Sequence, residues 1–230
     1  MKYASALLGA VILAGCHTAP VGFLKQETQA IELDKSESMH AELKMGAGEL
    51  HVDGGSVRLA DLDFAYNVES WKPRVRYRSG GTHGDLDIEQ PDNSASLGDT
   101  EYRWAVKLNN KILTDLSVDM GAGEANLNIG EMRLRDVDVE IGAGELKMDL
   151  RGTPKSSYSV RIEGGAGSAE VRLPASVGIW ATARGGIGNI DVQGLERRED
   201  HWVNPRALNS PVLVRIDVQG GVGEIKLIAE

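Results

Sequence analysis

Apolar and polar residues alternate along this chain in six windows, each centred on a Gly-x-Gly tripeptide. Aligned on the first glycine, the windows start at Gly46, Gly121, Gly142, Gly165, Gly186 and Gly221. In every window the residues five and three places before that glycine, and four and six places after it, are apolar. Val137, Val139, Leu146 and Met148 are one such set; Ile216, Val218, Ile225 and Leu227 are another. The residues four and two before and five after are polar throughout, as in Asp138, Glu140 and Lys147. Period-two alternation marks a half-buried strand, because successive side chains point to opposite faces. Each window therefore predicts strand, turn, strand. The inward position changes parity across the tripeptide, which suits a corner better than a flat continuous strand. Glycine fits a corner because it tolerates positive φ and lets backbones approach closely. No proline falls inside the windows, as central hydrogen-bonded strands require.

The starts are separated by 75, 21, 23, 21 and 35 residues, so a unit of about 21 runs unbroken from Gly121 to Gly186. One such unit cannot bury its own apolar side, whereas stacked units share a continuous core. No segment after the leader sustains the three-and-four spacing of an amphipathic helix. The predicted fold class is all-β: a right-handed-type β-solenoid of stacked ~21-residue strand-turn-strand units with GxG corners, or closely related stacked β-sheets. An antiparallel sandwich of glycine-cornered hairpins is the weaker alternative. Between the first two corners, residues 59–67, 71–78, 84–88 and 102–108 also alternate as strands, and residues 92–100 form a polar loop. Residues 194–211 form a second excursion carrying Trp202, Arg197 and Arg198.

Several of these stretches carry a family resemblance. Met45-Gly-Ala-Gly-Glu-Leu50, Phe64-Ala-Tyr-Asn67, Trp71-Lys-Pro73, Trp104-Ala-Val-Lys-Leu-Asn109 and the repeated Gly-Ala-Gly-Glu resemble bacterial toast-rack proteins. That group includes the LiaF-like, cell wall-active antibiotic response domain and the wider set of adhesin repeat proteins. The similarity covers residues ~30 to 230 and implies the stacked fold. It also implies a role at the cell envelope, with a link to envelope-stress sensing. LiaF-type members carry transmembrane helices ahead of the domain, which this chain replaces with a different leader.

Composition sharpens the picture. Of 28 glycines in 230 residues, fifteen lie in or immediately before the six turns, so the excess is corner chemistry rather than linker. With 41% apolar and 26% charged residues, the chain can build a core and a solvated surface. A net charge of −9 opposes binding to nucleic acid. The single Cys excludes a disulfide framework and lies in Leu13-Ala14-Gly15-Cys16, after Lys2 and an apolar run from Ala4 to Ala14 too short to span a bilayer. This segment resembles the bacterial lipobox, in which the leader is removed before a Cys that carries diacylglyceryl. It implies a membrane-anchored, extracytoplasmic lipoprotein. His17 rather than Asp after the Cys favours the outer membrane where there are two. The expected organisation is a signal peptide over 1–15, a lipidated N-terminus and tether over 16–38 running into a strand near Ile31 to Leu33, an N-terminal toast-rack part over 39–110 and β-solenoid repeats over 111–230.

Candidate chemistry is sparse. Glu49, Glu124, Glu145 and Glu224 follow four corners, and in-register stacking would set like charges one strand spacing apart, about 1 kcal/mol per pair in water. Solvent or turn N–H groups are the expected offset, with a cation along the corner as the sharper alternative. Lys72, Arg74, Arg76 and Arg78 share one strand face, either a solvated face that discourages edge pairing or a surface for an anionic partner. Asp61/Asp63, Asp85/Asp87 and Asp136/Asp138 pair carboxylates, as glycoside hydrolysis requires, yet alternation already explains them as the wet side of strands. No Gly-x-Ser-x-Gly, His-Glu-x-x-His or phosphate-loop motif is present. The sequence thus points to a non-enzymatic, lipid-anchored envelope scaffold or binding module without cofactor or metal. Its expected partners are the membrane, an envelope protein or a cell-wall polymer. A surface adhesin or self-associating module, exposing the apolar last strand that ends at Glu230, is the alternative; a polysaccharide-acting enzyme is the remote one.

Overall fold

A computed structural model describes residues 19–91 and 98–230. It is built almost entirely of strand: β1 (Val21–Ile31), β2 (Ser38–Gly54), β3 (Ala60–Val68), β4 (Arg74–Gly80), β5 (His83–Glu89), β6 (Tyr102–Leu108), β7 (Leu113–Asn128), β8 (Leu134–Asp149), β9 (Tyr158–Leu173), β10 (Gly178–Gln193), β11 (Glu196–Arg198), β12 (His201–Val203) and β13 (Leu213–Ala229). One 3₁₀ turn, Glu69–Trp71, follows β3.

The six windows are the six long strands β2, β7, β8, β9, β10 and β13, each continuing as one strand through its corner with its register kept. A straight 16-residue strand would be ~50 Å long. The five residues joining β7 to β8 reach only ~20 Å, yet the two strands pair in parallel along their length. Each long strand must therefore fold back at its corner into two arms. The second arm serves as the crossover that parallel pairing needs. Parity confirms the bend: β8 buries Val137, Val139 and Ile141 before the corner, then Leu146 and Met148 after it. The core lies between the two layers of arms. Parallel, in-register stacking establishes the solenoid-like reading and excludes the sandwich of antiparallel hairpins.

The corners are possible because the strands meet glycine on glycine. Gly144 sits at φ +142, and a Cβ there would fall inside van der Waals contact of the Gly123 carbonyl oxygen below it. Gly142, two places earlier, has ordinary φ but would set a Cβ 2.5 Å from the Gly121 oxygen. The first glycine of the tripeptide is thus restricted by its neighbour, and the second glycine by both its neighbour and its own dihedral.

Three details differ from the sequence reading. The stack runs β2-β7-β8-β9-β13-β10, so the last strand of the chain slots between β9 and β10 and is interior. Residues 194–211 carry the chain out and back for that insertion, depositing the β11/β12 hairpin beside the first arm of β10 on the way. Secondly, the segment expected to be a tether over 16–38 contains β1, eleven residues long, and the strand expected near Ile31 to Leu33 ends at Ile31. Both faces of β1 are largely exposed, so it has no buried side to leave a period-two signal. Thirdly, residues 39–110 and 111–230 are continuous in one sheet, β2 pairing with β7 along both arms.

At the N-terminal end the arms separate. The first arm of β2 pairs with β5, which pairs with β4; the second arm pairs with β6, followed by β3 and β1. Phe64, Trp104, Tyr102 and Trp71 pack edge to face in a chain with ring centroids 5.6–5.7 Å apart, closing the core there. The Tyr102 hydroxyl donates to the Trp71 carbonyl at 2.6 Å. Asn67 donates to the Asp99 carbonyl and accepts from the Glu101 N–H, pinning the start of β6.

Two substitutions separate the corner constraint from glycine content in general. Gly144→Ala should cost about 3 kcal/mol or more, from strained φ plus the carbonyl clash. Gly164→Ala, whose Cβ would meet only the Gln219 oxygen at 3.9 Å, should be neutral or stabilising by up to about 1 kcal/mol. Urea unfolding of both variants beside the wild type checks the contrast; equal losses would refute it.

Candidate functional surfaces

The bend is filled differently along the stack. In β2, β7 and β8 the residue before the first glycine is Met45, Met120 and Ile141, each buried inside the corner. The next three strands place Gly164, Gly220 and Gly185 there, in register with Ile141 and with one another. Ile225 leans into the vacated space, its Cδ1 3.1 Å from where a Gly220 Cβ would stand. Ile190 does the same at Gly185, at 3.7 Å. β9 offers only Ala169 at the equivalent place and leaves a hollow of about 80 Å³ between Ile141, Leu146, Ile162, Val218, Ile190 and Ile225. A cavity of ~150 Å³ accepts benzene and ligand clefts run from ~300 Å³, so this hollow holds a branched aliphatic group rather than a sugar. Outside the same corner, Ile187 and Val222 face each other in register and are 73% and 53% exposed. The four other corners carry Ala47, Ala122, Ala143 and Ala166 there. Doubled glycines in the last three windows are the available signal for the hollow, and the strand order decides which of them is central.

The second arm of β10 is also the free edge of its layer. Among the described residues, β12 covers only Trp180 and Ala181, and residues 182–193 pair on one side, with β13. The first arm is better covered: Trp180 stacks on His201 at 3.8 Å, and the Arg197 guanidinium lies 5.5 Å from the Trp202 ring.

Lys72 lies ahead of β4, and Arg74, Arg76 and Arg78 alternate along it at the N-terminal end. Each has a carboxylate: Lys72 reaches Glu27 at 2.6 Å, Arg74 and Arg76 reach Glu89 at 2.6 and 3.0 Å, and Arg78 reaches Asp87 at 2.9 Å. The arginines form a cross-strand ion ladder between β4 and β5 while Lys72 is tied to β1, so an anionic partner would have to displace internal carboxylates. Just ahead of β2 in sequence, the Asp34 carboxyl is held well below the usual carboxylate range by hydroxyls of Ser79, Ser36 and Tyr77 and by the Ser36 N–H. Lys72, then the Tyr66 hydroxyl, lowers the pKa of the Glu27 carboxyl.

Glu49, Glu124 and Glu145 stack in register, and Ser168 and Asn189 interrupt the series around Glu224. Lys147 reaches Glu145 at 2.9 Å and Arg103 comes within 3.7 Å of Glu49, offsetting the repulsion. Among the described residues, no three His, Cys, Asp or Glu side chains gather as a metal site. Most of the paired aspartates are engaged by neighbouring side chains; Asp138 is half-buried and its Oδ1 makes no hydrogen bond. Asp61 accepts from Ser56 and Arg58, Asp63 from Thr28 and Asp136 from Ser159; Asp85 lies 3.6 Å from His83. Cys16 lies outside the described residues.

The family model for the N-terminal domain of toast_rack, DUF2154, matches residues 21–172. The chain belongs to the toast-rack family. The motifs that resemble it in sequence turn out to be the first corner and the aromatic closure of the N-terminal end. Among solved structures, a putative cell adhesion protein from Clostridium sporogenes ATCC 15579 is 28% identical, with a TM-score of 0.86 over 90% of this chain and 100% of that one. A putative adhesin, BF0245, from Bacteroides fragilis NCTC 9343 is 9% identical, with a TM-score of 0.32 over 88% of this chain and 97% of that one. No curated protein matches.

The Asp34 geometry fixes a pH dependence. A carboxyl whose folded pKa is depressed adds stability above its unfolded pKa, near ~3.9, and loses it as pH falls through the folded value. The gap in melting temperature between wild type and Asp34→Asn should be constant from about pH 7 to 5 and shrink below about pH 4. A gap that stays constant down to acid unfolding would refute the assignment.

Proposed function

We propose that this toast-rack protein is a non-enzymatic module of the cell envelope, held to a membrane through lipid on Cys16 and acting as a β-solenoid scaffold or binding surface. The observation that carries this reading is the lipobox-like Leu13-Ala14-Gly15-Cys16 directly ahead of the solenoid, whose first strand begins at Val21. Two or three acyl chains at ~0.8 kcal/mol per buried CH₂ anchor a protein stably, so no transmembrane segment is needed. The outer membrane is the favoured site in a two-membrane cell, and envelope-stress sensing is the process the family resemblance suggests. An envelope protein or cell-wall polymer is the partner class. Lys72, Arg74, Arg76 and Arg78 would meet an anionic polymer only by exchanging their internal carboxylates.

A second reading, adhesion or self-association, is favoured by the uncovered arm of β10 with Ile187 and Val222 beside it. The similar Clostridium protein's description as a putative cell adhesion protein supports this reading. The strand exposed for the purpose is β10, not the last strand, which the stack encloses.

Metabolic labelling with a fatty-acid probe should mark the wild type and not Cys16→Ala; continued labelling of the variant would sink the anchoring. For the second reading, sedimentation at rising concentration should show association that Ile187→Lys and Asn189→Pro weaken about tenfold or more. A strict monomer at millimolar concentration would remove it.

A further inference from the structure

The start of β1 presents an apolar projection that the core does not use. Opposite β3, Val21 pairs with Val68 and Lys25 with Tyr66, so four steps along β1 match two along β3. The two extra residues form a bulge, a device that re-aims side chains out of a strand. Around it Phe23 is 95% exposed, Leu24 46% and Val21 37%. A phenylalanine so bare on the outermost strand of a layer gains nothing for folding.

The chain leading into the bulge limits what can cover it. Ala19 already packs partly buried against the core. Cys16 is three residues earlier, and at ~3.6 Å per residue its Cα lies within ~11 Å of Ala19 and ~18 Å of Val21. Headgroup regions are ~5–8 Å deep on each side of the hydrocarbon. A Cys held at that depth by its acyl chains keeps the bulge within ~18 Å of it, near enough to reach the lipid surface. Local charge permits the approach despite the −9 of the whole chain. Near the bulge Glu69 is paired with Lys25 and Glu27 with Lys72.

We infer that the β1 bulge is a membrane foot: Phe23 and Leu24 enter the headgroup boundary beside the anchored Cys16 and seat the solenoid on the bilayer. This rests on the proposed lipidation of Cys16. The order β1-β3-β6-β2-β7-β8-β9-β13-β10 then sets the open arm of β10 and the corner hollow eight strand steps from the foot, roughly 40 Å at ~4.8 Å per step.

The test uses the full lipoprotein in vesicles of phosphatidylethanolamine and phosphatidylglycerol. Cys16 is the single Cys, so lipidation leaves the wild type without a free thiol, and Phe23→Cys, Leu24→Cys or Leu208→Cys each introduces one for an environment-sensitive fluorophore. Leu208, 88% exposed, is the solvent control. At 23 and 24 the emission should shift to the blue, aqueous iodide should quench about threefold less than at 208, and headgroup-nitroxide lipid should quench more. Labelling of the wild type, with loss of co-flotation, would show that the anchor fails and take the foot with it. Co-flotation with iodide quenching at 23 and 24 equal to that at 208 would overturn the foot alone. Protection from iodide without quenching by nitroxide lipid would place a protein surface on the bulge and also overturn it.

Discussion

Close approach of glycine backbones at the corner is the constraint from which the rest of the architecture follows. At Gly142 and Gly144 the neighbouring strand's carbonyl oxygens occupy the space a side chain would need. Once the corners stack this closely, register is no longer set by the pleat alone. A slip of one residue would place Ala143 or Ile141 against a glycine oxygen, as well as turning the apolar set outward. Two independent penalties therefore select the same pairing. The fold-back at each corner also makes short links sufficient, so a parallel sheet is built without the helical crossovers that such sheets usually need.

The same constraint explains the freedom in strand order. Every corner presents the same glycine oxygens, so any glycine-cornered strand can seat on any other. Nothing at the corner of β9 distinguishes β10 from β13, and the chain places β13 there. The choice is made elsewhere, by the excursion after β10. It builds the β11/β12 hairpin over the first arm, inserts the Asn204 side chain between the Ile179 N–H and the Val177 carbonyl, and delivers the chain to Leu213.

Strands, corners and the inward set were legible because each depends on residues close in sequence. What depended on pairing was not. The strand order could not be read from spacings, since a 35-residue gap fits insertion and simple lengthening alike. The cationic strip at Arg74, Arg76 and Arg78 was visible, whereas its neutralisation by Glu89 and Asp87 requires the β4/β5 register. β1 resembles a tether in sequence because an edge strand exposed on both faces has no alternation to display. Doubled glycines at Gly164, Gly185 and Gly220 are in plain view, yet the hollow depends on β13 lying between β9 and β10, so that Ile225 and Ile190 lean in on one side and only Ala169 stands on the other.

A stacked fold gains its stability from each unit and from the interfaces to its neighbours, so a terminal unit is held by fewer contacts than an interior one. The two ends of this protein meet that problem differently. At the N-terminal end the layers part, and β3 to β6 with the Phe64, Trp104, Tyr102 and Trp71 chain close the core. At the other end only the first arm of β10 is covered. Its second arm has one neighbour, follows Gly185 where the corners of β2, β7 and β8 bury Met or Ile, and borders the hollow. Local opening therefore costs least there, and surfaces that exchange partners are drawn from such low-stability segments. Rigidity along the stack and adaptability at one end are consequences of the same repeat: glycine at the corner builds the column, and one more glycine beside it leaves the last strands underfilled.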